Sequence, residues 1–464
     1  MPSSHPLLSK PVTVKPTDIR VRSASTSYTN YTFRAPVKFG GIVLTKVTLL
    51  NVDCEVETRR GRVARGFGSM PLSNMWAFPS RVLNYDQTLA AMTALAEQCA
   101  RICTGHREFG HPIELGLALE EQFLAAAAEV SRELALAQPL PKLATLVTGS
   151  PFDAALHDAF GKALGLNCYQ TYGRDLVNCD LGAHLGADYA GEWPDQYLRK
   201  TPEPRMPLYH LVGALDPLTA ADVVRPVGDG LPETLPQWIV HNGLTHLKIK
   251  LNGDDAAWDL ERVLAVDAVA EGETRRQLRT IGWRYSLDFN EHCENEDYLI
   301  ELLRKFRERS PVGFERVQYV EQPTARDLTA EPRITMHEAA KLKPVVIDES
   351  LTDLESLLLA RELGYTGAAL KACKGQSQSV LMAAAAQKLG LFLCVQDLGC
   401  PGASLIHSAG LAAHVPGVAA IESNSRQYFP AANAVWEDRF PGIFQVRDGA
   451  MDTSCLTGPG LGAV

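Results

Sequence analysis

His246-Leu-Lys-Ile-Lys250 is the first of five short apolar segments that decide the fold. The others are Tyr285-Ser-Leu-Asp-Phe-Asn290, Val317-Gln-Tyr-Val-Glu-Gln-Pro323, Val345-Val-Ile-Asp-Glu-Ser350 and Gly367-Ala-Ala-Leu-Lys371. Each is strand-like in length and composition. Each carries a polar residue at or near its end: Lys250, Asp288, Glu321, Asp348 and Lys371, 23 to 38 residues apart. A (β/α)8 barrel of about 250 residues spends roughly 31 residues on each strand-helix unit. The spacing scatters around that period, and amphipathic helix-like stretches separate the segments. A barrel gathers residues from the C-terminal ends of different strands into one site. The five segments therefore predict lysine, three carboxylates and lysine at a single mouth.

The period continues outward. Residues 206–213 read as the first barrel strand, 245–250 as the second, 391–397 as the seventh and 418–422 as the eighth. Residues 256–269, 298–306, 354–363, 380–389 and 403–414 fit outer helices. His407 and His414, on the last of these, read as packing or surface residues. This gives an α/β fold, a (β/α)7β-type TIM barrel over 206–429. Upstream, the pattern turns strand-like from Ile19 to Gly68, where residues 41–50, 52–58 and 63–68 make an antiparallel meander with Arg59-Arg-Gly-Arg62 as a turn. Helical spacing follows over 86–103 and 113–137. Ser150-Pro151 reads as an N-cap and first-turn proline of a helix ending at Gly165. Strands first and helices after make a small α+β domain over 18–165. The tail, 430–464, is expected to pack back on it. Residues 1–17 read as a loose arm and 173–205 as an insertion.

Three carboxylates at one mouth repel one another unless a cation neutralises them. Hard carboxylate oxygens without His or Cys partners suit Mg²⁺. A divalent ion that also binds a substrate carboxylate stabilises the enediolate formed when the neighbouring carbon loses a proton. Lysine can be the base once a nearby cation and partial desolvation lower its pKa. Two lysines on opposite sides of a barrel could address opposite faces of that carbon. At this level Asp348 competes with Glu349, and Lys371 with Lys374. Asp397 and Glu422 could be functional or could be cap and salt-bridge residues.

In this order, Lys248-Ile-Lys250, Asp288-Phe-Asn290, Glu321-Gln-Pro323, Asp348-Glu-Ser350 and Ala369-Leu-Lys371 resemble the enolase superfamily, in particular its muconate-lactonizing and mandelate-racemase-like members. Lys-x-Lys occurs by chance in most proteins, whereas five motifs in order at a barrel period are specific. The resemblance spans about residues 20–464 and implies a capping domain in front of the barrel. It implies Asp288, Glu321 and Asp348 as Mg²⁺ ligands, Lys250 and Lys371 as an acid/base pair, and Lys248 as a group that stabilises the enediolate oxygen. Asn290 would support the ligands, and Glu422 falls where a functional carboxylate often stands. Asp397 follows Gln396 where a His-Asp base would need His. Residues 421–424 lack the paired aspartates of dipeptide epimerases. Capping loops near 25–38 and 67–78, with Arg34 and Trp76, would contact substrate.

The resemblance implies proton abstraction beside a carboxylate, read first as racemisation or epimerisation of a small carboxylic acid. A lyase, either an acid-sugar dehydratase or a cycloisomerase, is the alternative. An acid-binding barrel without turnover has no need for two bases. A homo-oligomer is expected by family analogy.

Composition limits the remaining classes. The 464 residues suffice for a large core. A net charge of −9 without a basic block argues against nucleic-acid or membrane partners. No apolar run reaches transmembrane length and the N-terminus does not read as a secretory signal. Ten scattered cysteines, many in apolar runs, predict reduced thiols and a cytoplasmic protein. Cys99 and Cys103, four apart on a helix, read as small buried residues.

Overall fold

The computed structural model describes residues 14–39, 42–278 and 280–462. Of the expected N-terminal arm, residues 1–13 lie outside that range. A three-stranded antiparallel sheet comes first: β1 (Ile19–Phe39), β2 (Ile42–Thr58) and β3 (Val63–Pro71). The segment 25–38, expected as a capping loop, is strand instead. Threonine and tyrosine recur along it, and β2 pairs with nearly its whole length. Four helices follow: α1 (Asn74–Ala77), α2 (Tyr85–Gly105), α3 (Pro112–Glu133) and α4 (Lys142–Leu164). Cys99 and Cys103 are buried on α2.

The helix expected to begin at Ser150 begins eight residues earlier. Leu143, Ala144, Leu146 and Val147 are buried on the same helix, so burial of an apolar face carries α4 through Pro151. Ser150 donates to the Val147 carbonyl rather than capping an N-terminus. Gly165 ends α4 in the left-handed conformation, φ 72°. α4 lies directly on β3: a Cβ at Gly66 or Gly68 would collide with the Ala155 or Pro151 carbonyl. Glycine there sets the depth of the packing.

The barrel strands are β4 (Arg205–Val212), β5 (His246–Lys250), β6 (Arg284–Asp288), β7 (Val317–Glu321), β8 (Val345–Ile347), β9 (Gly367–Leu370), β10 (Phe392–Val395) and β11 (Val418–Glu422). They are parallel in that order, and β11 pairs with β4 to close the cylinder. Helices cover the outside, except between β7 and β8, where only a 3-10 turn (Ala339–Lys341) forms. There Glu296 caps the turn through the amides of Glu338 and Ala339. Among the described residues no helix is long and apolar enough to cross a membrane.

Residues 173–205 form turns and short helices whose Leu181, Leu185, Tyr189 and Leu198 join the main core. Late in the tail, β12 (Ala450–Asp452) pairs antiparallel with β4. Beyond it, Leu461 donates to Asp158 of α4 and Gly460 accepts from Cys168.

Strand parity places the site. Tyr209, Tyr319, Val346, Ala369, Cys394 and Ala420 form one inward layer, with two tyrosines filling the lumen beside small residues. Side chains on a strand face the same way every second residue. The next inward layer is therefore Leu211, Glu321, Asp348, Lys371, Gln396 and Glu422, and it is almost wholly polar.

Candidate active site

Register brings Lys250 and Asp288 level with Glu321 of this layer. Lys250 stands opposite Asp288, and Asp288 opposite Glu321. Asp348 and Lys371 follow the ends of β8 and β9. Across five neighbouring strands the order is thus Lys250, Asp288, Glu321, Asp348, Lys371. All five line one cavity between the barrel mouth and the N-terminal sheet, with about 1000 Å³ of empty space including its open mouth. The three carboxylates are each 1 % exposed.

Each outer carboxylate faces a lysine. Lys250 Nζ lies 2.5 Å from Asp288 Oδ2, and Lys371 Nζ 2.7 Å from Asp348 Oδ2. Lys248 is fully enclosed and donates to Glu321 Oε1 at 2.8 Å, Gln396 Oε1 at 2.7 Å and Glu422 Oε2 at 2.9 Å. Lys374, on the turn after Lys371, donates to the Asp348 carbonyl at 2.5 Å and is 3.3 Å from its Oδ1. Burial alone would raise both aspartates. The lysines outweigh it, holding Asp288 below the ordinary carboxylate range and Asp348 at about 2. Burial lowers a lysine, but Asp348 more than compensates at Lys371 and holds it well above the usual value.

Glu321 behaves oppositely. Burial, then the charge of Asp288, pushes it well above the ordinary value, and its Oε2 is buried without a partner. Among the described residues no three carboxylate, imidazole or thiol groups already converge as a metal cage; Lys248, Lys250 and Lys371 sit against the carboxylates. The donor set nonetheless fits a hard divalent cation in kind. It offers three carboxylates on adjacent strands, and the central one has an oxygen left over.

The remaining expected residues are held as follows. Asn290 lines the cavity at φ 47°, and its amide donates to Asp288 Oδ1 at 2.9 Å. Glu422 receives Lys248 and the Asn424 side chain. Asp397 lies beyond its strand and accepts the amides of Leu398, Cys400 and Asn424. It caps the loop, and burial, then Glu422, pushes it up to about 6. Arg34 does not reach the cavity lining. It pairs with Asp229 and donates to the carbonyls of Pro232 and Gln427, tying the long hairpin to the barrel. His407 and His414 are buried, against Gln376 and Tyr169.

Trp76, on α1, does reach the mouth. Its Nε1 donates to Glu349 Oε1 at 2.8 Å, and its ring lies 4.1 Å from Lys371 Nζ. Glu349, pushed up to about 7 by burial, then Asp348, lines the cavity with its other oxygen unpartnered. Sequence reasoning left three groups out of the set: Glu349, Lys374 and Gln396. Parity marks Gln396, which lies two residues past the inward Cys394. Gln322 has a role that no pattern in the sequence marks. At φ 29° its side-chain oxygen accepts the amides of Asp348 and Ser350, fastening the ends of β7 and β8 together.

Residues 231–464 match the family described as enolase C-terminal domain-like, of the mandelate racemase and muconate-lactonizing type. No curated protein matches the chain. Solved structures with the same fold include a dipeptide epimerase from Enterococcus faecalis V583 with Mg and L-Leu-L-Tyr. It is 14% identical, with 96% of this chain and 99% of that one covered and a TM-score of 0.61. A muconate lactonizing enzyme from Pseudomonas fluorescens is 16% identical over 96% of each chain, TM-score 0.59. L-Talarate dehydratase from Polaromonas sp. JS666, with Mg and L-glucarate, is 18% identical over 96% of this chain and 95% of that one, TM-score 0.59. The family match covers half of the chain, and the closed barrel, its N-terminal sheet domain and the ordered mouth residues agree with it: this protein belongs to the enolase superfamily, among its mandelate racemase and muconate-lactonizing-like members.

Proposed function

We propose that the protein removes the proton beside a substrate carboxylate and returns one from the opposite face, acting as a Mg²⁺-dependent racemase or epimerase of a small carboxylic acid. The observation that carries this reading is the arc of three buried carboxylates with a lysine at each end. Asp288, Glu321 and Asp348 would hold the metal. When bound, a divalent cation there supplies positive charge that draws electron density from a substrate carboxylate and acidifies the adjacent C–H. Lys250 and Lys371 do the proton work, one taking the hydrogen from the α-carbon and the other delivering one to the opposite face. Lys248, bonded to Glu321, Gln396 and Glu422 and 3.1 Å from Asp288 Oδ2, keeps positive charge at the floor of the site. Gln322 fixes the separation of the β7 and β8 ends. Burial of the three carboxylates and Lys371 limits water that would compete for the proton.

A second reading starts from the same proton removal but expels a β-substituent. The dehydratase and the lactonizing enzyme are as similar in fold as the epimerase, which supports keeping it. Incubating racemic 2-hydroxy and 2-amido acids in heavy water with Mg²⁺ tests both. α-Deuterium without loss of a substituent is expected. Loss of water or ring closure selects the lyase, and exchange that survives complete chelation by EDTA excludes the metal-dependent reading.

A further inference from the structure

We infer that the substrate's substituent is uncharged and apolar, an aryl or branched-alkyl group rather than a polyhydroxylated chain; this rests on the carboxylate reading above. The floor of the cavity is charged, but its wall is not. Val47, Leu211, Tyr428, Phe429 and Ala432 form a hydrophobic cluster separate from the main core, with Phe33 packed on it. The Phe33 and Phe429 rings lie 4.9 Å apart, and both line the cavity. Met75, Trp76 and Leu398 face it from the other side.

Most donors on the wall away from the charged floor are already spent within the protein. Thr48 Oγ1 donates to Asn30 at 2.7 Å, and Ser73 Oγ to the Leu398 carbonyl at 3.2 Å. The Asn74 amide donates to the Tyr85 carbonyl and to Thr88, and the Tyr428 hydroxyl to Asp216 at 2.7 Å. Lys46 is half exposed at the rim, beside Asp86 and over the Tyr85 ring. A sugar-acid hydroxyl pressed against such a wall exchanges water for no more than the acceptor lone pairs of Thr48, Ser73 and Tyr428, whose own hydrogens point elsewhere. An aryl or branched-alkyl group gives up nothing and removes apolar surface from water on both sides. A carboxylate head on the charged floor and an apolar body against the wall match the two halves of the cavity.

Two acids with one head group test this: 3-phenyllactate and gluconate, both 2-hydroxycarboxylates, titrated calorimetrically into the full-length protein with Mg²⁺. Phenyllactate is expected to bind at least about tenfold tighter. Val47→Thr, which keeps the side-chain shape, and Phe33→Ser, at a partly exposed position, should each narrow that ratio at least about threefold. Equal or tighter gluconate binding, no binding of either acid, or a ratio unmoved in both folded variants overturns the inference. The proton-abstraction reading fails separately. Preferential phenyllactate binding with no α-deuterium incorporation removes that reading and leaves the wall's selectivity standing. Exchange of gluconate but not phenyllactate does the reverse.

Discussion

Glu321 is the most exacting residue of the site. It lies between two ionised carboxylates, wholly buried, with one oxygen on Lys248 and the other unpartnered. Replacing it by glutamine keeps an acceptor for Lys248 and substitutes a neutral group where burial and Asp288 already disfavour a charge. Glu321→Gln is therefore expected to leave the metal-free protein folded, with an unfolding midpoint at or above that of wild type. Mg²⁺ affinity should fall at least about tenfold by calorimetric titration, in the range seen when groups around a metal are altered. Unchanged Mg²⁺ affinity would remove Glu321 from the ligand set. At this scale the sequence was legible wherever a polar residue closed an apolar run. Asp288, Glu321, Asp348 and Lys371 meet that test and converge as expected. Asp397 meets it too and lines the same cavity, but its oxygens accept backbone amides of the loop that follows the strand. Lys374 is recruited by a turn whose geometry no periodicity encodes.

At the scale of elements, the four-residue helix α1 carries a side chain that links the N-terminal sheet domain to the barrel mouth. Trp76 spans from its short helix to Glu349 and Lys371. Trp76→Phe keeps most of the ring over the lysine and deletes the indole donor. Glu349 then has neither oxygen hydrogen-bonded. The cost of a buried group losing its partner is about 1–3 kcal/mol, and urea unfolding should register a loss in that range. A loss below about 0.5 kcal/mol would mean that water or another donor replaces the indole. The barrel strands were legible because apolar runs of strand length recur at a fixed period. The strand-like pattern from Ile19 onward marks the long hairpin, whereas the resemblance assigns 25–38 to a capping loop. Pairing with β2 makes the segment a strand, as the local pattern indicates. The start of α4 was missed for a different reason: Ser150-Pro151 is a good local start signal, but tertiary burial of the preceding turn overrides it.

Across the whole molecule, a buried polar seam joins α4 to the barrel's outer helices. His157 of α4 contacts Ser377 at 2.9 Å and Tyr172 at 3.0 Å, and burial lowers its pKa to about 3. The unfolded chain binds a proton there near pH 6.5, and the folded chain does not until far lower. This residue's contribution is thus present above pH 6.5 and lost as pH falls toward 3. His157→Gln removes that linkage. The stability difference between wild type and variant should shift against wild type by about 1 kcal/mol for each pH unit below 6.5, measured by urea unfolding from pH 7 to 4. A difference constant with pH would show that His157 is not held neutral. The closure of the barrel also sets the central claim. Lys250 and Lys371 belong to the second and sixth of eight strands, which places them across the mouth from each other. The most direct measurement is α-deuterium incorporation by Lys250→Ala and Lys371→Ala, each with both pure enantiomers of a verified substrate. A racemase predicts that each variant loses exchange, by about 10²- to 10⁴-fold, with the enantiomer whose α-hydrogen faces the missing lysine, and retains it with the other. Near-normal exchange of both enantiomers by both variants would contradict the account.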